Sequence, residues 1–258
     1  MREIRLYDSL SGEFVPVSAG DAIRVEVRGA PVVADGCVDV ESTRPLVLFS
    51  FLERFLRREG FATKFLFDSP GGGDTLYELS EDLEPLSAGD AAGERDAEMS
   101  LLEVPRSDVD QWVNVCFGAG RDGVDSNPVS HGEPIPLSHA LEDFGHPAVA
   151  LYLLGTHYSL PLGDALTGLT TGSKNARRIR KAIKRLVPAR PSPPDMRHYM
   201  ESFRDALADD LDTPTAFVVM FEWLLEAERR GGDIGDNDLR VMLEVLELED
   251  LAAPTVVP

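Results

Sequence analysis

The stretch from residue 23 to residue 67 decides the fold class of this chain. It opens as Ile23-Arg-Val-Glu-Val27, where apolar and charged residues alternate with the period of two that is typical of a half-buried strand. A helical pattern follows. Thr43 can cap its N-terminus, and Gly60 marks its end. A second strand at 63–67 completes a strand–helix–strand unit, and this unit predicts a parallel α/β sheet.

The last third of the chain carries helical patterns. Residues 188–194 contain four prolines in seven positions, so they predict a stiff linker rather than a helix. A later helix opens at Thr213-Pro214, read as a cap followed by an N1 proline, and a weaker one spans Asp238 to Leu248. The sequence therefore predicts two domains, an α/β domain at 1–165 and a helical bundle at 166–258.

The chain is acidic, with 25 basic and 45 acidic residues and a net charge of −20. The segment from Asp74 to Asp110 holds 12 acidic and 2 basic residues, a net of −10 and half of the total. We expect 69–110 to be an acidic excursion with little regular structure. Its glycine run at 71–73 is less well explained as a phosphate cradle, because no Gly-Lys-Ser/Thr follows. The charge also argues against DNA as a partner.

Other broad classes are disfavoured by simple features. No apolar run approaches the roughly 20 residues that span a bilayer, and the first residues lack a secretion-signal pattern. Cys37 and Cys116 are too few for a disulfide framework. We therefore expect a cytoplasmic protein that does not associate with membranes.

Three stretches in order carry a resemblance to a known family. They are Ile4-Arg-Leu-Tyr-Asp-Ser-Leu-Ser-Gly-Glu-Phe-Val-Pro-Val17, the segment from His146 to Leu162, and Asp209-Asp-Leu-Asp-Thr-Pro-Thr-Ala-Phe217. Together they resemble the cysteinyl-tRNA synthetases of class I. The resemblance implies an α/β fold with a Rossmann-like parallel sheet, followed by a C-terminal α-helical bundle. It also implies a synthetase core that has lost the zinc-bearing insertion and the distal anticodon-recognition module.

The family's ATP-binding signature is changed in this chain. The resemblance places a His-Ile-Gly-His/Asn motif before Ala-Arg-Pro, and here Thr43-Arg44-Pro45 follows Asp39-Val-Glu-Ser42. An aspartate therefore replaces the phosphate-stabilising histidine, and Glu41 replaces the glycine on which adenine packs. Two carboxylates would repel a triphosphate unless a metal intervened.

The other chemistry-bearing features of the family are also missing. No lysine occurs from residue 65 to residue 173, so the lysine loop that clamps pyrophosphate has no counterpart. The family's zinc site should begin with Cys-Gly, where this chain has Arg28-Gly29. His157 falls in a stretch matched to the family, and we expect it to be packed or capping rather than a metal ligand.

A basic stripe stands out in the acidic chain. Six cations lie on one face of a predicted helix: Lys174, Arg177, Arg178, Lys181, Lys184 and Arg185. The favoured interpretation is a solvated face that pairs with acids of the bundle, for example Glu222 and Glu226. The alternative is a contact for RNA backbone or for an acidic partner chain.

These observations predict a catalytically degenerate relative of cysteinyl-tRNA synthetase that binds an unknown protein or small molecule, with no cofactor and no tRNA ligation. One alternative is a repurposed ATP-dependent amino-acid ligase or transferase that uses a nucleotide with magnesium. Another is a tRNA-binding protein without chemistry. The candidate cleft residues are Arg28, Asp39, Glu41, Ser42 and Arg44.

Overall fold

The structure is a computed structural model. It describes residues 3–9, 11–18, 22–27, 33–34, 37–61, 64–68, 75–79, 101–105, 112–117, 134–231 and 234–252. Arg28 lies outside these residues, as does most of the acidic excursion.

The first half of the chain is built mainly from strands. They are β1 (Ile4–Asp8), β2 (Glu13–Val17), β3 (Ala22–Val27), β4 (Val33–Ala34), β5 (Cys37–Val38), β6 (Lys64–Asp68), β7 (Thr75–Leu79), β8 (Leu101–Pro105) and β9 (Trp112–Phe117). β1 and β2 form an antiparallel hairpin, and β4 pairs with β5. The main sheet has five strands in the order β8-β7-β6-β3-β9.

The predicted strand–helix–strand unit is present in this sheet. β3 pairs in parallel with β6 and with β9, and helix α1 (Arg44–Arg58) lies between β3 and β6 in the chain. Leu48, Leu52 and Phe55 of α1 are buried, as their helical spacing predicts. The sheet is mixed, however, because β7 and β8 continue it in antiparallel pairs.

The prediction of little regular structure across 69–110 is wrong for two segments. Residues 75–79 and 101–105 form β7 and β8, with Leu79 opposite Leu101. β7 pairs with the edge of β6 opposite β3, and this pairing satisfies backbone groups that would otherwise lie at the edge of the sheet. The remaining residues of the excursion lie outside the described part of the chain.

Helices dominate the rest of the chain, as predicted for its last third. They are α2 (Leu137–Phe144), α3 (His146–Leu153), α4 (Ala165–Ile183), α5 (Arg197–Ala208), α6 (Thr213–Arg230) and α7 (Asn237–Val245). The proline-rich segment lies between α4 and α5, as expected for a linker. α7 ends before Leu248, because Glu247 adopts a left-handed conformation with φ of 57°.

Two predicted helix caps differ from the observed ones. Thr43 precedes α1 but does not cap it, because its Oγ1 donates to the carbonyl oxygen of Val40 at 2.6 Å. Thr213 is the first residue of α6, and the cap is Asp212, whose carboxylate accepts from the amide of Thr215. The hydroxyl of Thr213 instead donates to the carbonyl oxygen of Leu154 at 2.6 Å.

The main apolar core draws on both halves of the chain. Ile4 and Ile23 from the strands, Phe51 from α1, and Phe203 and Trp223 from α5 and α6 belong to one buried cluster. The proposed division at residue 165 stays a prediction. Among the described residues, no helix is both long and apolar enough to cross a bilayer.

Candidate functional site

The segment that replaces the family's ATP-binding signature lies just before α1. The amide of Val40 donates to the carbonyl oxygen of Ile135 at 2.9 Å, which holds this segment beside the entry to α2. The Asp39 carboxylate accepts from the Ser42 amide at 3.0 Å and from the Ser42 hydroxyl at 2.7 Å. Asp39 and Ser42 are therefore hydrogen-bonded to each other in a local turn.

Arg44 is buried and structural. Its guanidinium donates to four main-chain carbonyl oxygens, at 3.1 Å to Leu153, 2.7 Å to Leu160, 2.5 Å to Thr156 and 3.0 Å to His157. Burial lowers the pKa of Arg44 to about 10, so the group stays charged at neutral pH. These bonds use most of the five N–H donors of an arginine, and they tie the start of α1 to the loop after α3.

Glu41 forms a second polar contact in the same region. The hydroxyl of Tyr152 lies 2.8 Å from Glu41 Oε1 and 2.9 Å from the carbonyl oxygen of Gly163. Burial raises the pKa of Glu41, and the carboxylates of Asp39 and Asp164 raise it further. Burial and the neighbouring Glu41 also raise the pKa of Tyr152. The result is a half-buried acidic group whose ionisation is disfavoured.

Tyr152 and Gly163 also border an open groove of about 740 Å³ between α4 and α6. The α6 wall is largely apolar, and the α4 wall carries threonines and an arginine. The titratable groups on its lining are Tyr152, Asp164, Arg178 and Glu222. We call this feature the α4–α6 groove, and its walls include Thr167, Thr171, Arg178, Val218, Phe221 and Leu225.

All six cations of the predicted basic stripe are exposed on α4 or just after it. The solvated face is present, but the example partner Glu226 pairs with Arg229 and Arg230 on its own helix at 2.7 and 2.6 Å. Arg178 is 3.8 Å from Glu228 and lies over the ring of Phe221. Within the described residues, the other five cations form no ion pair.

A buried polar cluster that the sequence pattern did not reveal joins the α/β part to the bundle. The Asp210 carboxylate accepts from the amide of Tyr7 at 2.8 Å and from the hydroxyl of Tyr158 at 2.5 Å. His157 Nε2 lies 2.9 Å from the carbonyl oxygen of Asp210, and Nδ1 lies 2.8 Å from the Ser159 hydroxyl. The packed role predicted for His157 is confirmed. The signal for Asp210 was its place inside the resembling stretch at 209–217.

The described part of the chain shows no cluster of side chains suited to bind a metal ion. No group of three or more His, Cys, Asp or Glu side chains is arranged there to hold a metal ion.

No family model matches the chain. It is 29% identical over 177 residues to a cysteine–tRNA ligase of Azotobacter vinelandii, which covers 67% of this chain and 33% of the relative. A cysteine–tRNA ligase of Alkalilimnicola ehrlichii is 33% identical over 105 residues, covering 40% of this chain and 23% of the relative.

Two further proteins that resemble this chain have names other than cysteine–tRNA ligase. The L-cysteine:1D-myo-inositol 2-amino-2-deoxy-alpha-D-glucopyranoside ligase of Saccharopolyspora erythraea is 35% identical over 119 residues, covering 45% of this chain and 28% of the relative. Among solved structures, the LeuRS of Agrobacterium radiobacter K84, in a ternary complex with tRNA and LeuAMS, gives a TM-score of 0.40 at 18% identity. That match covers 56% of this chain and 23% of the other.

The chain is similar in sequence to cysteine–tRNA ligases. The curated relatives include cysteine–tRNA ligases from several bacteria, which confirms the resemblance predicted from the sequence. The matches span about a third or less of the length of these relatives.

Proposed function

We propose that this protein does not aminoacylate tRNA and that it acts by binding a protein or a small molecule. The observation that carries the proposal is the segment from Asp39 to Arg44. At the place of the family's ATP-binding signature, Asp39 and Ser42 are bonded to each other and Glu41 contacts Tyr152.

Electrostatics support this proposal. Burial raises the pKa of Glu41, and the carboxylates of Asp39 and Asp164 raise it further, so negative charge at this site is disfavoured before any ligand arrives. Arg44, the cation of this segment, donates to main-chain carbonyl oxygens instead of facing a ligand. A triphosphate placed here would meet carboxylates without a compensating arginine from this segment.

We also propose a Rossmann-like α/β part and a division of the chain into two units. The parallel pairing of β3 with β6 and β9, with α1 as a crossover, supports a Rossmann-like organisation of the α/β part. We keep 1–165 and 166–258 as the proposed units, and the cytoplasmic location remains a prediction.

The test is ATP–pyrophosphate exchange with magnesium and each of the amino acids in turn. A cysteine–tRNA ligase assayed in parallel verifies the reagents. We expect no exchange above background for this chain. Robust exchange with any amino acid would overturn the proposal.

A second candidate is a repurposed ligase that activates an amino acid with ATP and magnesium. The similarity to the Saccharopolyspora erythraea ligase favours it, because that relative is named for joining L-cysteine to an amino sugar derivative. Asp39 and Glu41 would then have to face a magnesium-bound nucleotide. This candidate predicts that ATP with magnesium raises the melting temperature and that Asp39→Ala abolishes the rise.

A third candidate is tRNA binding without chemistry. The exposed cations of α4, of which only Arg178 has an ion pair within the described residues, favour it. It predicts RNA binding whose affinity falls steeply with salt and is lost in the triple variant Arg177→Ala, Arg178→Ala and Lys181→Ala. The exposed Arg197, which lies on α5, supplies the matched control as Arg197→Ala.

A further inference from the structure

The α6 side of the α4–α6 groove presents an apolar stripe. Pro214, Val218, Phe221 and Leu225 follow a spacing of four, three and four residues, so they lie on one face of the helix. Val218 is 57% exposed and Leu225 is 59% exposed. Aligned apolar side chains that remain exposed along a groove are typical of a protein-binding surface.

The α4 side carries the complementary feature. Thr167, Thr171, Lys174, Arg178 and Lys181 repeat the same spacing, so the cations continue the line of the groove-facing threonines. No aspartate or glutamate occurs between Asp164 and Asp195. Arg178 lines the groove, and Lys174 and Lys181 lie one turn to either side of it on α4. Positive charge is therefore concentrated on α4 beside the groove, whose lining also includes the carboxylates of Asp164 and Glu222.

The protein neutralises this positive charge only weakly. The contact of Arg178 with Glu228 is 3.8 Å long and joins two partly exposed side chains. An exposed pair of this kind contributes little to stability. Lys174 and Lys181 have no ion pair among the described residues. A carboxylate from another molecule can therefore pair with these cations without breaking a strong internal contact.

We propose that the α4–α6 groove docks an amphipathic helix of a partner protein, with its apolar face on α6 and its carboxylates towards α4. The stripe from Pro214 to Leu225 is about 16 Å long, which matches three turns of helix. Apolar contacts at 218 and 225 give no advantage to a nucleic acid phosphate backbone, so a protein helix fits this surface better than RNA. The proposal deepens the binding role described above and rests on it.

A synthetic helical peptide tests the proposal on the full chain. The peptide has about 14 residues, leucines at the spacing of four, three and four, and glutamates along one flank. Two comparison peptides carry lysine in place of glutamate or the same residues in scrambled order. Fluorescence anisotropy measures the affinity of each.

We expect the leucine–glutamate peptide to bind with one copy per chain and the two comparison peptides to bind at least about 10-fold more weakly. The double variant Val218→Ser and Leu225→Ser should weaken binding roughly 10-fold, and Lys174→Glu with Lys181→Glu should do the same. Leu46→Ser, at a residue 54% exposed on α1, and Arg197→Glu are the matched controls and should not change the affinity. Circular dichroism verifies that each variant is folded.

Other results would overturn the proposal. These are absence of peptide binding, or binding that the Val218 and Leu225 substitutions leave unchanged. A 20-nucleotide RNA that binds more tightly than the peptide and displaces it would assign the surface to nucleic acid. Measuring pyrophosphate exchange on the same protein separates the two proposals. If exchange occurs and the peptide still binds, only the non-catalytic role is contradicted. If exchange is absent and the peptide does not bind, only the docking site is contradicted.

Discussion

Arg44 shows how one side chain holds distant parts of this protein together. It was a candidate cleft residue because it follows the changed signature segment, yet its guanidinium is buried among carbonyl oxygens of residues 153–160. A buried cation is tolerated when its donors are satisfied, and here main-chain oxygens satisfy them. The residue therefore ties the start of α1 to residues 153–160.

Replacing Arg44 by lysine should destabilise the fold. Lysine keeps the charge but has three donors and no planar fork, so carbonyl oxygens are left without partners. We expect Arg44→Lys to lower the free energy of unfolding by about 2–4 kcal/mol in urea titrations. Arg57→Lys, at an exposed arginine of the same helix, is the control and should change it by less than about 0.5 kcal/mol. Equal effects of the two substitutions would show that the buried hydrogen bonds of Arg44 contribute nothing.

Glu41 should make stability depend on pH. Because burial raises its pKa in the folded state, the folded protein holds the proton more tightly than the unfolded chain. Its stabilising contribution is full below the unfolded pKa near 4.5 and is lost as the pH rises through the folded pKa. Glu41→Gln cannot ionise, so its melting temperature relative to the unmodified protein should be higher at pH 8 than at pH 4.

The control for this pH effect is Glu201→Gln, at an exposed position of α5. The difference between the two pH values should be larger for Glu41→Gln than for this variant. If Glu41→Gln behaves in the same way, the Glu41 carboxylate ionises without cost in the folded protein.

At the scale of elements, the contact between α3 and α4 depends on glycine. A Cβ atom at Gly172 would lie 2.4 Å from the carbonyl oxygen of Ala148, which is closer than real contacts allow. The absence of a side chain therefore lets the two helix backbones approach. The same approach positions Tyr152 of α3, whose ring lies against Gly168 of α4 and whose hydroxyl contacts Glu41.

Gly172→Ala should be destabilising even though alanine is the better helix former. Its helix propensity gain is about 1 kcal/mol, and the clash with main-chain atoms of α3 should cost more, for a net loss of about 1–2 kcal/mol in unfolding free energy. Thr171→Ala changes the exposed neighbouring residue without such a clash and serves as the control. A Gly172→Ala protein that is more stable than the unmodified one would show that α3 and α4 can separate freely.

At the scale of the whole molecule, the shared core should make unfolding cooperative. Buried residues of β1, β3 and α1 contact the same cluster as buried residues of α5, α6 and α7. Polar contacts reinforce this junction, since Asp210 bonds to Tyr7 and Tyr158. The two proposed units therefore share a core whose loss from one unit exposes apolar surface of the other.

We expect one unfolding transition in calorimetry that coincides with the loss of helical circular dichroism. The ratio of calorimetric to van't Hoff enthalpy should be close to one. Two transitions separated by more than about 10 °C would show that 1–165 and 166–258 are independently stable.

Much of the architecture could be predicted because it depends on the spacing of apolar residues that are close together in the sequence. Alternation at 23–27 predicted β3, and the spacing of Leu48, Leu52 and Phe55 predicted the buried face of α1. β7 and β8 were missed because five-residue strands inside an acidic segment carry little periodic signal of their own. Their pairing depends on the edge that β6 provides.

The amino-acid sequence by itself determined the strand–helix–strand unit around α1, the helical character of the last third, the family resemblance, the changed signature at 39–42 and the basic face of α4. Only the tertiary structure decided what these residues contact. Arg44 bonds to oxygens 109 to 116 residues away, and Asp210 bonds to an amide 203 residues away. Periodicity reports which face of an element is buried, whereas the partner across the interface depends on how the elements pack. For that reason Arg44 proved to bind main-chain oxygens of residues 153–160, and Arg178 of α4 proved to line a groove whose α6 wall is largely apolar.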